Sequence, residues 1–233
     1  MTPLTQTLIR WPKLFTTMVV MLAVISACGC EGASILAEAF TGRTIKAVFV
    51  PQDRPTLVLV DDPQMRLGDP SLPLYIASSI GLELQREKVI TEVVPLEKLV
   101  ALSSQLGEKY ARTPVSRIGK QLGARQVIHV NIDVVDFGHD PGLLRPVAEA
   151  QVKLIDSDTG KRLFPQLEDA ETTDVAALPS PGRVVRTELW FRHQDDERTL
   201  RAIRRKLADH IARDVARLFH DYHPRPTGEP YDD

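Results

Sequence analysis

The chain has 233 residues, and its 29 Lys and Arg residues nearly balance its 31 Asp and Glu residues, which leaves a formal net charge of −2. This balance excludes the strongly basic character that is typical of nucleic-acid-binding proteins, so no nucleic-acid partner is expected. The length suffices for one domain with a substantial hydrophobic core.

Residues 1–27 are predicted to be a secretory signal peptide. Arg10 and Lys13 precede an uncharged, mostly apolar stretch that runs from Leu14 to Ala27, and this order is typical of such peptides. The stretch is shorter than the ~18 to 20 apolar residues that a transmembrane helix needs. We therefore expect the segment to lie outside the folded domain.

The motif Ile25-Ser26-Ala27-Cys28 ends this stretch. It resembles the lipobox of bacterial lipoproteins, in which an aliphatic residue and two small residues precede a cysteine. The resemblance implies that Cys28 carries the lipid that ties the mature chain to a membrane, and that Cys30 then has no disulfide partner within the chain. The alternative is an ordinary signal peptide in which Cys28 is incidental. Gly29 is not the aspartate that marks inner-membrane retention in enteric bacteria, which favours the outer membrane and a periplasm-facing chain.

The first elements follow a predicted tether over residues 28–43. Apolar, β-rich runs that end at proline or aspartate predict strands over 45–50 and 56–60. Apolar residues at helical spacing predict an amphipathic helix over 74–88. A short strand is expected to follow at 89–94.

Two further helices and two long strands are predicted in the middle of the chain. The helices cover 95–106 and 114–122, and Gly123 ends the second one, as expected of a residue that adopts positive φ readily. The strands cover 126–136 and 147–156. The second strand alternates apolar with polar residues, which predicts one buried and one solvated face.

The last third of the chain is less regular. A short strand is predicted at 162–165, followed by a polar insertion near 165–194 that contains a partial strand at 183–192. A long amphipathic helix is predicted over 197–222. The remaining tail, 224–233, is predicted to be disordered.

This order of elements predicts an α/β fold of the α+β type, with a mixed β-sheet of about five strands, helices that cover it, and a long C-terminal helix. A single domain is expected to span 44–223. The chain lacks a glycine-rich phosphate loop and a His-Glu-x-x-His motif, so no cofactor is expected.

Several segments in this order also match a known pattern of strands, helices and turns. The match includes a Leu-Gly-Ala turn between a helix and a strand, and an Asp-x-x-Thr-Gly-type turn after a later strand. The matching segments are Ile45–Val50, Ile76–Glu87, Val89–Val94, Ile118–Ile128, Val152–Lys161 and Leu218–Tyr222. They resemble the periplasmic family that includes the amino-terminal domain of TolB, CsgG and LpoB. The resemblance implies a binding, scaffolding or assembly module rather than an enzyme.

The chain departs from that family at two places. The segment 56–73 is longer and richer in proline than the family needs. The insertion near 165–194 is rich in charged residues, and apolar and polar residues do not alternate regularly along it. Both features are unlike a strand of a membrane barrel, whose lipid-facing residues are apolar. A pore of the CsgG type is therefore not expected.

Two histidines near the C-terminus are weak candidates for a metal site. His220 and His223 lie three residues apart, a spacing that can place two imidazoles on one helical face. A third ligand is not evident, and the alternative is a helix end where histidine complements the helix dipole. No catalytic residue and no resident metal are therefore predicted, and His129 is interpreted as a hydrogen-bonded histidine of the sheet.

Trp190 and Phe191 are the candidate partner-binding residues. They lie in a polar segment, and an exposed aromatic pair there would serve as an anchor for a protein partner. The alternative is that both rings pack in the core. We therefore interpret the chain as a membrane-anchored periplasmic lipoprotein, not an enzyme, that binds an envelope protein in cell-envelope assembly or peptidoglycan maintenance. The alternatives are a subunit of an oligomeric secretion assembly and a metal-dependent hydrolase.

Overall fold

The computed structural model describes residues 44–140, 143–166, 182–192 and 197–224. The predicted signal peptide, the tether with Cys28, most of the insertion near 165–194 and nearly all of the tail lie outside the described residues. Among the described helices, none combines the length and the apolar character that crossing a membrane requires.

The chain divides into two compact units. The larger is Lys46–Asp221, and the smaller joins Met1–Ile45 with Tyr222–Asp233. In the smaller unit, Ile45 and Tyr222 form an antiparallel bridge with hydrogen bonds of 2.8 and 2.9 Å. The predicted domain limits, 44–223, stay a prediction.

Strands and helices are interspersed along the described residues. In chain order they are β1 (Thr56–Asp61), α1 (Leu72–Arg86), α2 (Leu96–Leu106), a 3-10 helix (Gly107–Arg112), α3 (Val115–Gln121), β2 (Gln126–Asp136), β3 (His139–Asp140), β4 (Leu143–Leu144), β5 (Val147–Asp156), β6 (Arg162–Phe164), β7 (Arg183–Glu188), β8 (Phe191–Arg192) and α4 (Glu197–Ala216).

A five-stranded mixed sheet organises the larger unit and confirms the predicted fold class. Strand β1 runs parallel to β2, whereas β2 and β5 are antiparallel, and β5 pairs with both β6 and β7. The alternation in β5 is confirmed, because Ala148, Ala150, Val152 and Leu154 are buried while their neighbours are partly exposed. Strands β3, β4 and β8 form a small separate sheet.

Helices α1 and α4 pack on one face of the sheet and form the main core. Val58, Ile128 and Val152 of the sheet are completely buried there, together with Ile80 of α1 and Leu207 of α4. The long amphipathic helix α4 is needed because a sheet face this apolar must be covered.

A smaller core lies on the other face of the sheet. Leu57 and Leu59 of β1 and Val127 of β2 pack there with Leu99 of α2 and Ile118 of α3. Further along β2, the residues that share this face are polar and only partly buried.

The predicted strand at 45–50 is wrong beyond the bridge at Ile45. The backbone N–H groups of Val48 and Phe49 both donate to the carbonyl oxygen of Leu218, at 2.8 and 3.0 Å. This segment therefore packs along the turn that follows α4 instead of joining the sheet. Its backbone N–H groups find hydrogen-bond acceptors without a strand partner. Pro51, which follows, has no N–H group to donate to a neighbouring strand.

Two other predicted boundaries need correction. The strand at 89–94 is reduced to a single parallel bridge between Thr56 and Val93, because the N–H groups of Val89 and Ile90 donate to the carbonyl of Leu84 at the end of α1 and not to a strand. Helix α4 ends at Ala216 instead of 222, since the N–H groups of Leu218 and Phe219 bond three residues back in a tight turn. Phe219 is nevertheless fully buried, which explains why the apolar pattern continues past the helix.

Candidate functional site

Trp190 is an exposed aromatic residue in the link between β7 and β8. Its side chain is 59% exposed, while the adjacent Leu189 is buried and donates its N–H to the carbonyl of Pro146 at 3.0 Å. The guanidinium of Arg145 lies 4.4 Å from the centre of the indole ring. The buried neighbour and the stacked cation together hold the indole outward.

Glu188 completes the surroundings of this indole. Arg145 donates from Nε to the carboxylate of Glu188, and this hydrogen bond lowers the pKa of that carboxyl group. We call Trp190, Arg145 and Glu188 the Trp190 patch. Phe191, the other predicted partner-binding residue, is only partly exposed and packs against the main core. The two aromatic residues therefore have different environments.

The two C-terminal histidines belong to different units of the chain. His220 is buried, and its Nδ1 bonds the backbone carbonyl of Asp221 at 2.9 Å. His223 is exposed and lies 3.3 Å from the hydroxyl of Thr44. In the described part of the chain, no group of three or more His, Cys, Asp and Glu side chains is arranged to hold a metal.

A cleft of about 670 Å³ opens where β1 ends, between α1, α2, the 3-10 helix and α3. Most of its lining is apolar, and its charged groups are Asp61 and Asp62 at the end of β1. The lining residues are Leu59, Val60, Asp61, Asp62, Pro63, Pro73, Leu74, Leu99, Val100, Ser103, Tyr110, Ala111, Thr113, Val115, Ile118 and Asn131. A mostly apolar cavity with a few polar groups is typical of a ligand-binding site.

The acidic side of this cleft is built at the carboxyl end of β1, beside the middle of the parallel strand β2. Asp61, the last residue of β1, accepts a 2.8 Å bond at Oδ2 from Nε2 of His129 in β2. Asp62 follows, and its two carboxylate oxygens accept the backbone N–H groups of Arg66 and Leu67 at 2.8 and 2.9 Å. The carboxylate of Asp61 is therefore bonded to a side chain, whereas that of Asp62 is bonded to backbone N–H groups and stabilises a turn.

Tyr110, from the 3-10 helix, is the aromatic residue of the cleft. Burial raises the pKa of its hydroxyl to about 12, with a further contribution from the negative charge of Asp61. The hydroxyl is therefore protonated at neutral pH and lies in a poorly solvated place near that carboxylate.

This cleft was not predicted from the sequence. In the sequence, the aspartates at 61 and 62 mark only the end of a predicted strand, and the segment that contains Tyr110 lies between two predicted helices. The available signal was a pair of acidic residues directly after a continuously apolar strand. Because the carboxyl ends of parallel strands often carry binding residues, that signal points to the end of β1.

A buried polar cluster lies at the opposite ends of the same strands. Gln126, at the start of β2, is completely buried; its Nε2 donates to the carbonyl of Gln52 and the hydroxyl of Thr56, both at 2.8 Å. Its Oε1 accepts from Nε of Arg54 at 3.1 Å, and Arg54 also pairs with Asp156 at 3.1 Å. These interactions join the start of the sheet to the loop before β1, so we interpret the cluster as structural.

No protein-family model matches this chain, and no curated protein matches it. Solved structures similar to it include bacterial lipoproteins. The lipoprotein GNA1162 from Neisseria meningitidis is 14% identical, with a TM-score of 0.41 and coverage of 69% of this chain and 99% of that one. A minor lipoprotein from Acinetobacter baumannii is 8% identical, with a TM-score of 0.32 and coverage of 70% and 90%.

The PelC dodecamer from Paraburkholderia phytofirmans is also similar. It is 13% identical, with a TM-score of 0.33 and coverage of 77% of this chain and 97% of that one. TM-scores below 0.5 assign neither fold nor function, so a function for this chain must be inferred from its own residues.

Proposed function

We propose that this chain is a lipid-anchored periplasmic lipoprotein that binds a protein partner of the cell envelope. Cys28 of the lipobox-like motif carries the anchor, and the outer membrane is its location. The folded unit presents a recognition surface and performs no catalysis. The resemblance of the segment order to the TolB, CsgG and LpoB family supports a role in envelope assembly or peptidoglycan maintenance.

The exposed indole of Trp190 is the observation that carries this proposal. A side chain of this size that is 59% exposed leaves a large apolar surface in water, and Trp and Arg are enriched among the residues that dominate protein interfaces. The stacked Arg145 restricts the indole before any partner arrives, which lowers the entropy cost of binding.

The surroundings of the patch suit a protein partner. Arg145 and Glu188 lie beside the indole. In a complex they can keep their hydrogen bond to each other, or each can form a hydrogen bond with a polar group of the partner instead. An apolar centre with a polar rim is the usual arrangement of a protein interface. Phe191 contributes indirectly, because its packing on the core fixes the strand that follows Trp190.

The test is in-cell crosslinking with a photoreactive amino acid at Arg186, an exposed position of β7, in three backgrounds. These are the unsubstituted Trp190, Trp190→Ala, and Leu82→Ala as the matched control, since Leu82 is also an exposed apolar residue, at 64%. Crosslinked proteins are identified by mass spectrometry. We expect an envelope protein in the first and third backgrounds and its loss, by about tenfold or more, with Trp190→Ala.

Two results would contradict the proposal. Equal capture with Trp190→Ala and Leu82→Ala would exclude the patch as the recognition surface. Capture of only a second copy of this chain would replace partner binding by self-assembly. Circular dichroism of each variant establishes that the fold is retained, which is expected for substitutions at exposed positions.

A further inference from the structure

The cleft at the end of β1 has acidic residues in its lining and no basic one, although His129 bonds Asp61 from outside the lining. Its charged lining residues are Asp61 and Asp62, and none of the lining residues, all of which the structure describes, is basic. The rest of the lining is largely aliphatic, and its more exposed members include Leu74, Val100 and Val115. Charge complementarity therefore selects a ligand that is cationic at one end and apolar over the remainder.

Asp61 has a free acceptor for such a cation. Its Oδ2 bonds His129, whereas its Oδ1 accepts no hydrogen bond from the described residues. Asp62 differs, because both its oxygens accept backbone N–H groups. A hydrogen-bond donor that enters the cleft can therefore bond Oδ1 of Asp61. A positively charged donor makes a stronger hydrogen bond to this carboxylate than a neutral donor does.

Tyr110 adds an aromatic ring and a second polar group. Its hydroxyl forms no hydrogen bond with the described residues, and Tyr110 lines the same cleft as Asp61, whose negative charge contributes, after burial, to the raised pKa of that hydroxyl. An aromatic side chain beside a carboxylate is an arrangement that attracts ammonium groups through both Coulomb and cation–π terms. The volume of about 670 Å³ lies within the range of ~300 to 1,000 Å³ that is usual for small-molecule sites.

We propose that this cleft binds a small organic ammonium ion, with the ammonium group bonded to Oδ1 of Asp61 beside Tyr110 and the apolar body against Leu74, Val100 and Val115. The site is independent of the Trp190 patch. It would give the protein a small-molecule ligand in addition to its protein partner.

The test is isothermal titration calorimetry on the full-length chain in detergent, with three probes of similar shape. They are 2-phenylethylammonium, neutral 2-phenylethanol and anionic 3-phenylpropanoate. A charge-assisted hydrogen bond corresponds to about tenfold to a hundredfold in affinity. We therefore expect the ammonium ion to bind at least about tenfold more tightly than the alcohol, and the anion to bind weakest.

Asp61→Asn keeps the shape of the side chain and removes its charge, so it should abolish the preference for the ammonium ion over the alcohol. Because the variant is measured in the same detergent, it also corrects for partition of the probes into micelles. Glu108→Gln is the matched control, since it makes the same charge change on the 3-10 helix at an exposed residue outside the cleft lining. It should leave the preference unchanged.

The outcomes separate clearly. Binding of the alcohol as tight as that of the ammonium ion, or no heat from the ammonium ion at millimolar concentration, would overturn the proposal without any variant. An Asp61→Asn protein that is folded and keeps the preference would overturn the role of Asp61. If Asp61→Asn does not fold, the comparison of the three probes on the unsubstituted chain decides.

Discussion

Replacing Gly119 by alanine tests how closely helix α3 packs on the sheet. A Cβ atom at this position would lie 2.5 Å from Cγ2 of Val127 and 2.6 Å from Oγ of Ser157. Both separations are far shorter than normal van der Waals contact, which is ~3.5 to 4 Å between carbon atoms. The helix or the strand must therefore move to accommodate one methyl group.

The magnitude follows from two opposing terms. Alanine is a better helix former than glycine by about 1 kcal/mol, which favours the substitution. Insertion of a methyl group into a packed core costs ~1 to 3 kcal/mol. Here the upper part of that range applies, because Val127 is completely buried and Ser157 is 3% exposed. The expected net loss is about 1 to 2 kcal/mol.

The assay is urea denaturation followed by circular dichroism, with Gly81→Ala as the matched helical control. A Cβ atom at Gly81 would lie 3.1 Å from Cγ1 of Val93, and Val93 is only partly buried, so that variant should change stability by less than about 1 kcal/mol. The double variant Gly119→Ala, Val127→Ala should show a favourable coupling energy. A Gly119→Ala protein as stable as the unsubstituted chain would refute this account of the packing.

Two other measurements address the buried Gln126 and the partly buried His210. Gln126→Leu removes hydrogen bonds from the buried cluster, and it should lower the free energy of unfolding, measured by urea denaturation, by about 2 to 3 kcal/mol. Gln121→Leu, at an exposed position, should change that free energy by less than about 0.5 kcal/mol. Equal effects of the two substitutions would contradict the structural role of the cluster. Burial, and then the charge of Arg213, lower the pKa of His210 below its ordinary value of 6.5. The unfolded chain therefore binds this proton more readily, so the contribution of His210 to stability is complete above pH 6.5 and is lost as the pH falls through the lower, folded-state pKa. The urea midpoint should fall less with acidification in His210→Gln, and an unchanged pH dependence would exclude this histidine as the cause.

The elements that could be predicted are those whose pattern reflects a local constraint. Strand β5 alternates because one of its faces is solvated, and α1 repeats apolar residues because one side of it is buried. Both periods are visible in the chain without knowledge of any partner. The segments 45–50 and 89–94 share the composition of strands but lack neighbours to pair with along their length, and pairing is not a local property.

The candidate sites also depend on contacts that a local sequence pattern does not reveal. Trp190 could be proposed from its polar surroundings, but only the folded chain reveals that Leu189 is buried, that Arg145 stacks on the indole and that Phe191 packs inward. The cleft depends on Asp61 and Tyr110, which are far apart in the chain and are brought together by the end of a strand and a 3-10 helix. No motif connects them, so their proximity was not predictable.

The hydrogen bonds between the start and the end of the larger unit have a mechanical consequence. Lys46 and the N–H of Ala47 bond the carboxylate of Asp221 at 2.7 and 2.9 Å, and the next two N–H groups bond Leu218. With the anchor proposed at Cys28, tension along the tether would reach these bonds before it reaches β1. They would take up that tension first, so that β1 is not pulled directly away from β2 when the membrane and the partner move apart.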